Sequence, residues 1–184
     1  MQNKFVRKIF KRLLDILISV FAILMLSPVF LFFIILIRLT SKGPAIFKQE
    51  RAGKDGKCFV FYKFRTMKIE ADPFGASPKS GDDPRLTRTG KFLREYSLDE
   101  LPQLFNILKG DMSVIGPRPL YVSQISEWDE RQRKRLLVKP GLTGLAQICG
   151  RDGLTREEKL ELDVKYVETA GFLVDIKVIL ATIA

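Results

Sequence analysis

Twenty-two consecutive residues without a charged side chain, Ile16 to Ile37, set the first limit on this fold. Isoleucine, leucine and phenylalanine recur on every face of a helix drawn through them, and a protein of 184 residues has too little interior to enclose such a helix. About 20 apolar residues span a bilayer core as a helix. The segment is longer than the roughly 7–15 apolar residues of a signal peptide, and no A-x-A-like cleavage site follows it. The sequence therefore predicts a membrane helix.

Ser27-Pro28 interrupts the middle of that helix. Proline removes a backbone hydrogen bond and clashes with the preceding turn, so it kinks or breaks a helix; the Ser27 hydroxyl can satisfy the freed carbonyl. The charge distribution adds a second argument. The chain has a net charge of +10, and the excess is local. Residues 1–12 carry +5, residues 38–68 carry +7, and residues 69–184 are nearly neutral. A spanning helix keeps its basic residues mainly on the cytoplasmic side. Basic flanks at both ends instead favour a re-entrant helix–break–helix that leaves both in the cytoplasm beside anionic lipid; a kinked spanning helix is the alternative.

The chain as a whole predicts a mainly helical α+β fold, with residues 1–40 as a re-entrant membrane unit and residues 41–184 as a cytoplasmic, interfacial domain joined to it in one structural unit. Residues 45–64 read as a β-hairpin around Lys54-Asp55-Gly56. Residues 69–90 read as a loop. Short helices are expected over Lys91–Tyr96 and from about Ser97 to Leu108, with Pro102 in the first turn of the second. SVIGPRP (113–119) reads as a stiff loop. Gln124–Leu137, Glu157–Glu168 and Leu173–Ile183 read as helices, the first amphipathic and suited to a membrane surface.

The chain contains no histidine. A His general base, a Ser-His or Cys-His nucleophile pair and a His-ligated metal are therefore excluded. Cys58 and Cys149 form no C-x-x-C pattern and are expected to be reduced thiols. Acid–base or covalent chemistry must come from carboxylates, Lys, Tyr, Ser/Thr or the two cysteines, with a carboxylate the natural candidate nucleophile. Asp99-Glu100 is the leading pair: its ordinary reading is helix capping through Ser97-x-x-Glu100, its functional reading an anion and cation site with a carboxylate nucleophile. Lys63 and Arg65 alternate onto one strand face. Arg118 is fixed between Pro117 and Pro119, which suits bidentate phosphate contact. Arg151 lies in a loop. Arg131, Arg133, Lys134 and Arg135 read as a solvated or lipid-facing run, and Asp163 as a surface charge. No glycine-rich nucleotide loop and no RNA- or DNA-binding motif is present, so nucleic acid is not an expected partner.

FYKFRTM, RLTRTGKFLREYSLDELPQLFNILKGDMSVIGPRP, KPGLTGLAQICGR and ELDVKYVE follow in that order behind the broken apolar segment. The chain thereby resembles, over essentially its whole length, the bacterial sugar transferases of the monotopic phosphoglycosyl transferase type, in their minimal single-domain form. The resemblance implies transfer of a phospho-sugar from a UDP-sugar to polyprenyl (undecaprenyl) phosphate, with Mg²⁺ and release of UMP, at the cytoplasmic face of the bacterial inner membrane. It implies a covalent phospho-sugar on Asp99, which also meets the metal, with Glu100 assisting. It further implies functional roles for Lys63, Arg94, Arg118, Arg151 and Asp163, and a re-entrant helix broken at Ser27-Pro28. Asp152-Gly153-Leu154-Thr155 lacks an aromatic that some members carry, and Ala146 also departs from a frequent pattern. The donor sugar, the pathway and the oligomeric state, a homo-oligomer included, stay open.

Overall fold

A computed structural model describes residues 4–72, 83–150 and 153–183. Residues 73–82 of the expected loop 69–90, and Arg151 and Asp152, lie outside the described residues; Arg88–Gly90 of that stretch is already helical. The described chain is mostly helical, with two small sheets.

Helix α1 runs from Lys4 to Thr40 and contains Pro28. The expected break is not drawn as one: helical structure continues through Ser27-Pro28. Residue 28 would have donated its N–H to the Leu24 carbonyl, and proline has none to give. The Ser27 hydroxyl donates to that same carbonyl at 2.8 Å, which fills the gap. One face of α1 exposes Leu17, Phe21, Leu24 and Met25, each more than 60% accessible. The other face joins the core. Phe30, Phe33 and Ile37 pack with Phe61, Phe64, Leu93, Leu104, Ile107 and Met112.

Strands β1 (Ile46–Ala52) and β2 (Cys58–Phe64) form the expected antiparallel hairpin, with Ile46 opposite Phe64 and Ala52 opposite Cys58. Asp55 takes a left-handed conformation at the turn (φ 56°). Helix α2 (Arg88–Glu95) follows, its first turn capped by the Thr87 side chain, which accepts from the Gly90 N–H. The single helix expected from Ser97 divides in two. Leu98–Glu100 is a short 3-10 turn, and α3 (Gln103–Lys109) begins after Pro102 and ends at Gly110.

Both halves of α1 touch α3. Arg12 donates to the carbonyls of Ile107 (2.6 Å) and Leu108 (2.8 Å), while the Phe30 ring lies 5.7 Å from that of Phe105. Eighteen residues of straight helix separate Arg12 from Phe30, about 27 Å, whereas seven residues of α3 cover about 10 Å.

The segment read as a stiff loop, 113–119, contributes a strand instead. β3 (Ser113–Ile115) and β4 (Gly141–Thr143) run parallel, Ser113 opposite Gly141 and Ile115 opposite Thr143. The rigid GPRP loop leaves β3 held against the Pro140-Gly141 loop, with Gly141 N donating to Pro117 O at 2.8 Å. The helix expected over 124–137 is three pieces: a 3-10 stretch Val122–Glu127, α4 (Glu130–Arg133) and a second 3-10 stretch Lys134–Leu137. Trp128 is extended, and Asp129 opens a new helix by accepting from the Gln132 N–H, so the chain restarts there. Then come α5 (Leu145–Ile148), α6 (Arg156–Thr169) and α7 (Phe172–Ile183), the last two close to their expected bounds. α7 packs Val178 inward and exposes Leu173 and Leu180, beside the Phe10 side of α1.

Candidate active site

Four elements bring the site together. β2 supplies Lys63, the 3-10 turn supplies Asp99 and Glu100, the loop after β3 supplies Arg118, and the last turn of α2 supplies Arg94. Lys63 Nζ donates to Asp99 Oδ2 at 3.2 Å and to Glu100 Oε1 at 2.9 Å. Arg118 Nη2 donates to the same Glu100 oxygen at 2.6 Å. Asp99 is only 5% exposed. Glu100 is pulled in opposite directions. Burial pushes its carboxyl up, but the charges and hydrogen bonds of Arg118 and Lys63 outweigh that and hold it far below the usual carboxylate range.

The local backbone explains why these carboxylates are not caps. Ser97 is left-handed (φ 55°, ψ 19°) and its side chain makes no cap hydrogen bond. The expected Ser97–Glu100 capping box is therefore absent, and Glu100 turns to the two cations instead. A left-handed serine is an uncommon conformation that the surrounding structure must hold in place.

Asp99 opens onto a cleft of about 740 Å³. Lys48, Arg51, Lys63, Arg65, Lys68, Arg94 and Arg118 line it, against Asp72 and Asp99. So strong a cationic bias in a concave site gathers phosphates. Lys63 and Arg65 share the cleft face, as their alternation implies. Arg65 Nη2 donates to the carbonyl and hydroxyl of Ser41, just past the end of α1, while its Nε and Nη1 make no hydrogen bond. Arg51 stacks on Tyr121, 3.7 Å from the ring centroid.

Two sequence readings change. Asp163 is not a surface charge: it is 3% exposed and sits apart from the cleft, ion-paired to Arg135 at 2.6 Å. Arg135 leaves the solvated run to which Arg131 and Lys134 belong; those two pair with Glu161 and Glu168 on α6. Asn106, Arg51 and Arg135 all support or line the site and were not singled out by sequence. The visible signal for Asn106 was a lone amide within the apolar stretch LFNIL. Arg51 and Arg135 lie among other basic residues and carry no such mark.

Carboxylate oxygens are hard donors that suit Mg²⁺. Among the described residues, no group of three or more His, Cys, Asp or Glu side chains stands together to cage a metal. Asp99 would thus supply only part of a coordination shell. That fits an ion which takes one or two carboxylates and completes its shell with water and substrate phosphate.

The bacterial sugar transferase family matches this chain over residues 6–184. An uncharacterized sugar transferase, EpsL, of Bacillus subtilis (strain 168) is 46% identical over 95% of this chain and 86% of its own length. The galactosyl transferase CpsE of Streptococcus agalactiae serotype III (strain NEM316) is 43% identical over 98% of the chain and 42% of its own length. A UDP-glucose:undecaprenyl-phosphate glucose-1-phosphate transferase of Klebsiella pneumoniae is 41% identical over 97% of the chain and 40% of its own length. The chain thus spans less than half the length of these last two relatives. Sequence motifs, cleft and relatives agree: the chain belongs to the bacterial sugar transferase family.

Proposed function

We propose that this protein transfers a sugar-1-phosphate from a UDP-sugar to polyprenyl phosphate at the cytoplasmic face of the bacterial inner membrane. The observation that carries the reading is the Asp99-Glu100 pair, held by Lys63 and Arg118, with Asp99 buried in the wall of a cationic cleft, in a protein whose long N-terminal helix has an exposed apolar face.

Asp99 is the nucleophile. Its carboxylate attacks the β-phosphorus of the UDP-sugar, the bridging P–O bond breaks, and UMP leaves with the bridging oxygen. The phosphate oxygen of the polyprenyl substrate then attacks the same phosphorus. The aspartyl–phosphorus bond breaks, the Asp99 carboxylate is freed, and a polyprenyl diphospho-sugar departs. Glu100 manages the proton of the incoming polyprenyl phosphate. Lys63, Arg65, Arg94 and Arg118 neutralise and orient the phosphates, with Arg151 and Asp163 as further functional residues. Asp99 would hold Mg²⁺, which when bound would supply charge neutralisation for the phosphates.

The membrane part of the reading is a re-entrant α1 bent at Pro28. Its support is that Arg12 and Phe30, 18 residues apart on α1, both reach the seven-residue α3, and that basic residues flank both ends. Both ends on one side would seat the cleft at the interface, where the phosphate of a polyprenyl lipid lies.

The deciding experiment measures UMP release across a panel of UDP-sugars with undecaprenyl phosphate. The wild type is expected to turn over at least one donor, and Asp99→Asn to lose release while still binding vesicles. Mass spectrometry after UDP-sugar alone should find a phospho-sugar on Asp99. Unchanged turnover in Asp99→Asn would overturn its role.

A further inference from the structure

Arg118 is half-exposed and belongs to a loop, yet its guanidinium meets Glu100 at 2.6 Å. Prolines on either side restrict its main chain without fixing where that main chain sits. The position is set from behind. Arg135 Nη2 donates to the Arg118 carbonyl at 2.5 Å, and the same guanidinium donates to Asp163 Oδ2 through Nε (3.1 Å) and Nη2 (2.6 Å). The Arg135 and Asp163 side chains are 3% and 4% exposed. The indole of Trp128 lies against the guanidinium, 4.8 Å from its carbon. Asp163 comes from α6, Arg135 from the turn after α4, and neither lines the cleft.

We propose that Arg135 and Asp163 are positioning residues for Arg118: their buried pair fixes the Arg118 carbonyl and so aims its side chain at Glu100. A buried ion pair is weak evidence of stabilisation, because desolvation offsets much of the attraction. A role in orientation accounts for retaining it. Burial pushes the Asp163 carboxyl up, and the Arg135 charge opposes this, so the pair holds its geometry only while both partners stay in place. The kinetic consequence rests on Glu100 and Arg118 handling substrate; the geometric one does not.

The test is a double-mutant cycle between Arg135→Lys and Arg118→Met. Lysine keeps the buried charge but lacks the fork that spans Asp163 and the Arg118 carbonyl. Guanidinium NMR of the full chain in nanodiscs, with Arg118→Met for assignment, follows the Arg118 Nε–H signal without substrate. Glu100→Gln is expected to shift that signal, and Arg135→Lys to broaden it toward a mobile side chain. In UMP release, Arg118→Met should lower kcat/KM about 100-fold. Arg135→Lys should lower it about 10-fold, and the double variant should lose no more than Arg118→Met. Independent losses that multiply to about 1000-fold, or an Arg118 guanidinium signal untouched by Arg135→Lys, would overturn the proposal. Where Arg135→Lys does not fold, Asp163→Asn, which keeps the side-chain volume, carries the same cycle. A wild type that releases no UMP refutes the transferase reading, and the NMR arm then decides the positioning role alone.

Discussion

Asn106 completes the hydrogen bonding of the strand that carries Lys63: its Oδ1 accepts from the Tyr62 N–H at 3.0 Å. Its Nδ2 donates to the Val60 carbonyl at 2.6 Å. The amide is fully buried. It acts as a substitute strand edge, and it ties α3 and the carboxylates just before it to β2.

Asn106→Ala leaves a strand N–H and a strand carbonyl buried without partners. At about 1–3 kcal/mol for each unsatisfied group, the loss expected is roughly 2–6 kcal/mol. Thermal or denaturant unfolding of the purified protein in nanodiscs measures it. A change below about 0.5 kcal/mol, the ordinary surface range, would show that water replaces the amide.

Gly90 sits on the main chain of Thr66: a Cβ there would lie 1.9 Å from the Thr66 carbonyl oxygen. Backbone must move to admit it, and the cost of such overpacking is about 1–3 kcal/mol or more. Gly90→Ala should therefore lower Tm clearly, while Gly153→Ala, with nothing within 4 Å of its added Cβ, should leave it nearly unchanged. Equal Tm values for the two variants would refute the close contact.

The depressed Glu100 carboxyl makes its ion pairs pH-dependent contributors to folding. A lowered folded value means that the contribution is present above the unfolded carboxylate value, about pH 4.3. It is lost as pH falls through the folded value. The stability gap between wild type and Glu100→Gln is thus expected to be widest above about pH 5 and to shrink toward pH 3. Unfolding free energies at several pH values test this; a gap constant with pH would contradict it.

Cysteine labelling reads the membrane topology. Cys58 and Cys149 are both exposed, so serine must replace them first. Probe cysteines near residue 2 and at Gly43 should both react from the cytoplasmic side of inverted vesicles. Reaction of the N-terminal probe from the opposite side only would establish a spanning helix.

Chelation is the last test. EDTA should stop UMP release, and added Mg²⁺ should restore it. Turnover that survives exhaustive chelation would remove the metal from the proposed reaction.

Local chemistry made the hairpin, α2, α6 and α7 legible in sequence: alternation, turn residues and helical periodicity act over a few neighbours. The β3–β4 pairing was not, because each strand is three residues long and finds its partner 28 positions away. The helix over 124–137 failed for a related reason. Its apolar and basic spacing is helical, but Asp129 is a strong cap and restarts the chain there. At the site, Lys63, Arg65, Arg94, Asp99 and Arg118 do meet at one cleft. The neighbours they use could not be read. Nothing in the linear order says that Glu100 prefers Lys63 and Arg118 to the Ser97 cap, or that Arg135 turns inward while Arg131 stays in solvent.

Phe30, Phe33 and Ile37 are at once part of the membrane helix and the floor of the core beneath Phe64 and Leu93. Anchor and catalytic body therefore share their interior side chains. Anything that draws α1 away loosens the same packing that holds β2 and its lysine. A fragment cut free of α1 would lose three of the ten buried side chains of that core, so the apolar helix and the body that carries the cleft fold as one piece.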